Sequence, residues 1–173
     1  DLVYANAGGD DAVCSEGSIT LTGDMGFPTG GYGFLLKAEP ESTASDLIVY
    51  TQVGNLGPRL VIYTNGSNTP ITLLANKLAR IESDATNHNH DDTQTGDTGS
   101  DVRSLIDFDL SSISGTIDLA ELVLLTETTG NVEVGVYPIF ADWNKDEITW
   151  DESSINIPWN TPGVISNSDP LLD

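Results

Sequence analysis

Four aspartates, Asp91, Asp92, Asp97 and Asp101, crowd a stretch otherwise made of glycine, threonine and serine. Carboxylates and loop carbonyls are the hard oxygen donors that calcium takes. Calcium is therefore the one cofactor this chain is expected to hold, with Asp10-Asp11 and Asp142…Asp146 as secondary candidates. No EF-hand spacing is present, so the expectation rests on acidic density. His88 and His90 lie beside the cluster. Two imidazoles at that spacing could share a transition metal only with a third ligand that the sequence does not identify, and solvated loop histidines are the plainer account.

Other residues suggest binding or modification more than catalysis. Trp143, Trp150 and Trp159 could stack on sugar rings, although core or interface packing is the preferred reading, with Trp143 and Trp150 counted among the packing residues. Asn65-Gly66-Ser67 is an N-glycosylation acceptor triplet. Carboxylate pairs abound, but a glycosidase needs a cleft and a separation that sequence does not supply. There is no Ser/His/Asp set, no CxxC and no phosphate loop, so no enzyme is expected. Cys14 is alone and is read as a buried thiol rather than an intermolecular partner.

These residues must be positioned by strands. Val102–Trp150 reads as a β meander: Ile106, Phe108 and Leu110 alternate with Leu105, Asp107 and Asp109, then Ala120, Leu122 and Leu124 share one side, as do Val132, Val134 and Val136. Earlier strands are expected in LVYAN, SITLT, GFLLKA, DLIVY and RLVIYT. Ile81 to Ser100 reads as a long polar loop, and residues 151–173 as a second loop-rich region. The 173 residues suffice for one well-buried sandwich. A net charge of −21, from six Lys+Arg against 27 Asp+Glu, excludes nucleic acid and anionic membranes as partners. No apolar run approaches a membrane span, so no membrane insertion is expected. The first residue is Asp1, as in a processed product or an excerpt of a longer chain.

RSLIDFDLSSI (103–113), AELVLL (120–125), VYPI (136–139), DWNKDEITWDE (142–152) and WNTPG (159–163) together resemble the DNRLRE domain. That resemblance implies an all-β jelly-roll sandwich on a secreted or cell-surface protein, with some members of the family acting as carbohydrate-binding modules. In the family's pattern, a tract like residues 32–64 closes the domain and one like residues 78–110 opens it. Here the order is reversed. The expected organisation is thus a C-terminal half at 1–64, a linker at 65–74 and an N-terminal half at 75–173. Such a chain is a repeat cut out of register, a subunit completing its neighbour, or a permutant closing on itself.

A half-sandwich exposes an apolar face and unpaired edges. The expected function is therefore a structural subunit of an extracellular or cell-surface filament whose partners are copies of itself, joined head to tail. The joint is expected at Phe34, Leu36, Ile48, Leu60 and Ile62 from one half, and Ile106, Phe108, Leu110, Leu122 and Leu124 from the other. The alternative is a carbohydrate-binding module with polysaccharide as its partner. A viral surface appendage is a third reading.

Overall fold

A computed structural model of the chain describes residues 15–21, 32–38, 46–49, 57–84, 93–97, 100–129 and 134–164. Every regular element among them is a strand. In chain order these are β1 (Ser15–Leu21), β2 (Phe34–Ala38), β3 (Asp46–Val49), β4 (Arg59–Thr64), β5 (Ile71–Leu74), β6 (Lys77–Glu82), β7 (Thr93–Asp97), β8 (Asp101–Asp107), β9 (Ile117–Thr129), β10 (Val134–Pro138), β11 (Glu152–Ser154) and β12 (Ile157–Pro158).

The pairings make a β-sandwich of two layers. In the first, sheet I, the order is β10-β2-β8-β6; in the second, sheet II, it is β1-β9-β4-β5. All of these pairs are antiparallel. Two short strands tie the layers together at one side. β7 pairs the start of β8, β3 pairs the end of β9, and β3 and β7 pair with each other.

Period-two alternation explains the core. Phe34, Leu36 and Ala38 of β2, Val134 and Val136 of β10, and Ile106 of β8 point from sheet I toward Leu60 and Ile62 of β4 and Ala120, Leu122 and Leu124 of β9. Phe108 closes one end, its ring edge-on to Phe34 at 6.2 Å between centroids. Leu110 packs part-buried against the same cluster. Each large apolar side chain buried here contributes about 1.5–3 kcal/mol.

Several expectations change. The meander from Val102 to Trp150 is not one: β8 and β10 belong to sheet I and β9 to sheet II, so successive strands cross between layers instead of pairing. Local alternation reports which side of a strand is apolar, not which strand lies beside it. The residues expected to meet across a joint between copies instead meet within one chain. β2 inserts between β10 and β8, and β4 lies against β9, so strands from before residue 65 are interleaved with strands from after residue 75. Ile48 is on β3, paired with both β7 and β9.

The expected linker contains a strand. Asn65 and Gly66 take positive φ (54° and 72°), the Ser67 amide donates to the Thr64 carbonyl at 2.9 Å, and the chain turns back so that Ile71–Leu74 pairs with β4. Asn-Gly tolerates such a turn because both residues accept left-handed backbone. The expected polar loop from Ile81 to Ser100 likewise contains the end of β6 and all of β7. The TQTGD sequence of β7 lacks apolar periodicity, and only its partners β3 and β8 mark it as a strand.

A third layer lies outside sheet I. After β10 the chain runs back over the outer side of β10, β2, β8 and β6, carrying the small β11-β12 hairpin. Ile139, Trp143, Ile148 and Trp159 pack there on Leu35, Ala79, Ile81, Leu105 and Tyr137. The inner strands of sheet I are consequently buried on both faces: β2 throughout, and β8 from Val102 through Asp107.

Candidate functional site

The tryptophans build this covering layer, here termed the cap. Trp143 is 3 % and Trp159 6 % exposed, which leaves neither ring a free face for a ligand. Both indole N–H groups are used internally: Trp143 Nε1 donates to the Tyr32 carbonyl at 2.8 Å and Trp159 Nε1 to the Thr149 carbonyl at 3.0 Å. A buried indole needs such a partner. Trp150 is half-buried and stacks on the Arg103 guanidinium, 4.6 Å from its ring centroid.

Three of the chain's six lysines and arginines lie at this junction. Arg103 and Lys37 face each other in register on sheet I and are each 4 % exposed. Arg103 donates to the Gly163 carbonyl, and the Lys37 ammonium lies 5.5 Å from the Tyr137 ring centroid. Lys77 of β6 reaches Asp107 at 3.4 Å, Asp142 at 3.3 Å and the Trp143 carbonyl at 3.2 Å, and lies 5.2 Å from the Trp143 ring centroid. Buried charges persist only where hydrogen bonds and ring faces replace water. Gly163 is fixed by the same packing: with φ at +76°, a Cβ would lie 2.5 Å from Arg103 Nη1 and 2.7 Å from Trp150 Cζ2.

Sheet II presents the opposite case. Its inward residues belong to the core, and among the described residues nothing forms a second layer over its outward side. Arg59, Val61 and Tyr63 of β4, Thr72 and Leu74 of β5, and Leu119, Glu121 and Val123 of β9 alternate with the core residues and point outward. The register sets them in rows: Leu74, Arg59 and Val123 form one, Thr72, Val61 and Glu121 the next, and Tyr63 with Leu119 the third. All are part-exposed or exposed. The face thus offers one aromatic ring, a guanidinium, a carboxylate and a hydroxyl on a flat apolar ground, chemistry suited to hydroxyl-rich ligands with apolar ring faces.

The aspartates of the calcium expectation are only partly placed. Asp91 and Asp92 lie outside the described residues, as do Asp10, Asp11, His88, His90 and Cys14. Asp97 and Asp101 are cross-strand partners where β7 turns into β8. Among the described residues no three His, Cys, Asp or Glu side chains are grouped as metal ligands. Asp142 and Asp146 are engaged with Lys77 and Lys145.

Asn65 sits at an exposed turn, but its amide clamps another segment. Its Oδ1 accepts from the Thr116 amide at 3.1 Å, its Nδ2 faces the Ser114 carbonyl at 3.5 Å, and its backbone N–H donates to the Thr116 carbonyl. The hairpin of β4 and β5 is thereby tied to the segment leading into β9.

Tyr63, Glu121 and Thr72 did not stand out in the sequence as a site. The alternation in RLVIYT and AELVLL places them opposite the core residues, yet nothing local says which outward face a distant segment will cover. No helix among the described residues is long and apolar enough to cross a membrane. The profile of carbohydrate-binding module family 96 matches residues 60–155, more than half of the chain. No curated protein and no solved structure matches the chain.

Proposed function

The chain belongs to carbohydrate-binding module family 96, and from that premise we propose that it is a non-catalytic carbohydrate-binding module of an extracellular protein, holding its ligand on the outward face of sheet II. The observation that supports this placement is the contrast between the two sheets. The tryptophans, the usual sugar-stacking candidates, are packed against sheet I, whereas the outward side of β4, β5 and β9 carries no second layer among the described residues. Tyr63 supplies the ring on which a pyranose lies. Arg59, Glu121 and Thr72 supply donors and acceptors for its hydroxyls.

The test is affinity electrophoresis in gels containing soluble polysaccharides, followed by calorimetry on whichever retards the protein. Neutral and uronic-acid polymers are both included, the latter with and without calcium, because a chain of net charge −21 repels a polyanion unless cations bridge the two. Tyr63→Ala is expected to weaken binding about tenfold, the effect of removing one central aromatic contact worth roughly 1.4 kcal/mol. If no polysaccharide retards the protein, the reading fails. If Tyr63→Ala and Glu121→Ala bind normally while Phe140→Ala, on the cap, does not, the face is wrongly placed.

A further inference from the structure

β9 is irregular where it passes Tyr63. Ile117 packs against the core and Ala120 is buried in it, although they are three positions apart. On a strand of strict period two, such residues point to opposite faces. The register supplies the missing step: Tyr63 pairs with Leu119 and Thr64 with Ile117, so Asp118 is the additional residue of a β-bulge. Among the described pairs of sheet II this is the one register shift. A bulge bends its strand, increases the local twist and re-aims neighbouring side chains. Here the neighbour is the row of Tyr63 and Leu119 on the open face.

Two side chains hold this bulge, reaching in opposite directions between it and the turn after β4. Asp118 Oδ2 accepts from the Gly66 amide at 2.5 Å. Asn65 Oδ1 accepts from the Thr116 amide at 3.1 Å, and the Asn65 backbone amide donates to the Thr116 carbonyl at 3.0 Å. The Asn65 side chain lies directly on Gly115, where a Cβ would sit 2.2 Å from its Nδ2. Asn65, Gly66, Thr116 and Asp118 are all exposed, so hydrogen bonds, and not apolar burial, fix the backbone on both sides of the bulge. The bond to the Asp118 carboxylate is charge-assisted, the stronger kind.

We propose that Asn65 and Asp118 are positioning residues for Tyr63, holding the bulge so that the ring is presented on sheet II at a fixed tilt. The proposal rests on the reading of that face as the glycan surface. Neither side chain has to touch the ligand. A ring already oriented loses less freedom when a pyranose settles on it, so the lock raises affinity through preorganisation. Asn65 works here through its unmodified amide, as a bracket, and not as a glycan acceptor.

Two measurements on the intact chain, produced in a host that does not glycosylate asparagine, separate the lock from the glycan reading. The first uses no ligand: the Tyr63 ring resonances, identified by their loss in Tyr63→Ala, are followed by NMR. Asn65→Ala and Asp118→Ala are each expected to shift them. Asn65→Asp, which keeps an oxygen for the Thr116 amide, is expected to leave them near the parent positions. The second measurement is calorimetry with the polysaccharide that retards the parent. Both alanine variants are expected to weaken binding about two- to tenfold, the range for one side chain ordered in advance, and Asn65→Asp to restore it. In a Tyr63→Ala background neither should weaken it further, because a residue acting through the ring has nothing left to act on. Unshifted ring resonances in both alanine variants overturn the proposal, as do alanine variants with parent affinity or a loss that persists without the Tyr63 ring. Shifted resonances in a protein that binds no polysaccharide, or whose Tyr63→Ala variant binds normally, would instead strike the glycan face and leave the lock on the ring in place.

Discussion

The two sheets of this sandwich are alike inside and opposite outside. Both present alternating apolar side chains to the shared core. Outward, sheet I is buried beneath a layer containing three tryptophans and stacked cations, and sheet II lies bare of any such layer among the described residues. β8 and β9 make the difference concrete. β8 is buried on both faces from Val102 onward, whereas β9 alternates buried Ala120, Leu122 and Leu124 with part-exposed Leu119, Glu121 and Val123. On the proposed reading the covering serves stability and the exposed face serves binding, and each assignment can be broken by substitution.

The largest effect is expected at the cap. Trp143→Ala removes a 3 % exposed indole, its hydrogen bond to Tyr32 and the ring facing Lys77. Loss of a buried aromatic costs about 3–5 kcal/mol, to be read as a lower midpoint in urea denaturation. Polysaccharide affinity of the folded protein should not change. A Trp143→Ala protein that stays equally stable but loses its glycan would return the binding site to the cap. Gly163→Ala attacks the same layer through backbone alone. The added methyl must displace Arg103 or Trp150 and adopt a left-handed φ, at a cost of about 1–3 kcal/mol.

How much of this contrast is legible in the sequence depends on the range of the interaction that decides it. The all-β sandwich is legible, because alternation in FLLKA, RLVIYT, SLIDF and AELVLL is a local property of each strand. The order of strands in the sheets is not, since β8 and β9 look like neighbours in a meander and part into different layers. β5 and β7 are hidden for a related reason: ITLL sits beside a turn rich in Asn, Gly and Pro, and TQTGD has no apolar face, so only cross-strand partners make them strands. The open face is hidden most deeply. Tyr63 and Tyr137 are both tyrosines on strands of one sandwich, and a segment far along the chain covers one and not the other.

On the open face the expected changes in stability are small. Tyr63→Ala and Glu121→Ala remove side chains that are part-buried, so unfolding free energies should fall by about 1 kcal/mol at most. The separation is the informative result: Trp143→Ala loses stability and keeps affinity, and Tyr63→Ala does the reverse. A Tyr63→Ala protein destabilised as much as Trp143→Ala would show that sheet II is also covered.

The smallest effect belongs to the segment by which the chain leaves sheet I for sheet II. Asp109 follows β8 and is exposed, yet its carboxyl is held below the ordinary carboxylate value of 3.8 by the Ser111 side chain first and the Ser111 backbone amide second, the latter at 2.9 Å. These bonds favour the charged form, so the folded state binds the proton less readily than the unfolded chain does. The linked stabilisation is therefore fully present above the ordinary carboxylate value and is lost as pH falls through the lowered one. Asp109→Ala should remove this small acid-side dependence together with the turn that carries the chain through Leu110 to Ile113, and leave the neutral and alkaline limbs parallel to the parent. The measurement is the urea midpoint as a function of pH for both proteins. Curves that diverge further as pH falls below the carboxylate range, instead of converging there, would mean that the charge of Asp109 opposes the crossover instead of holding it.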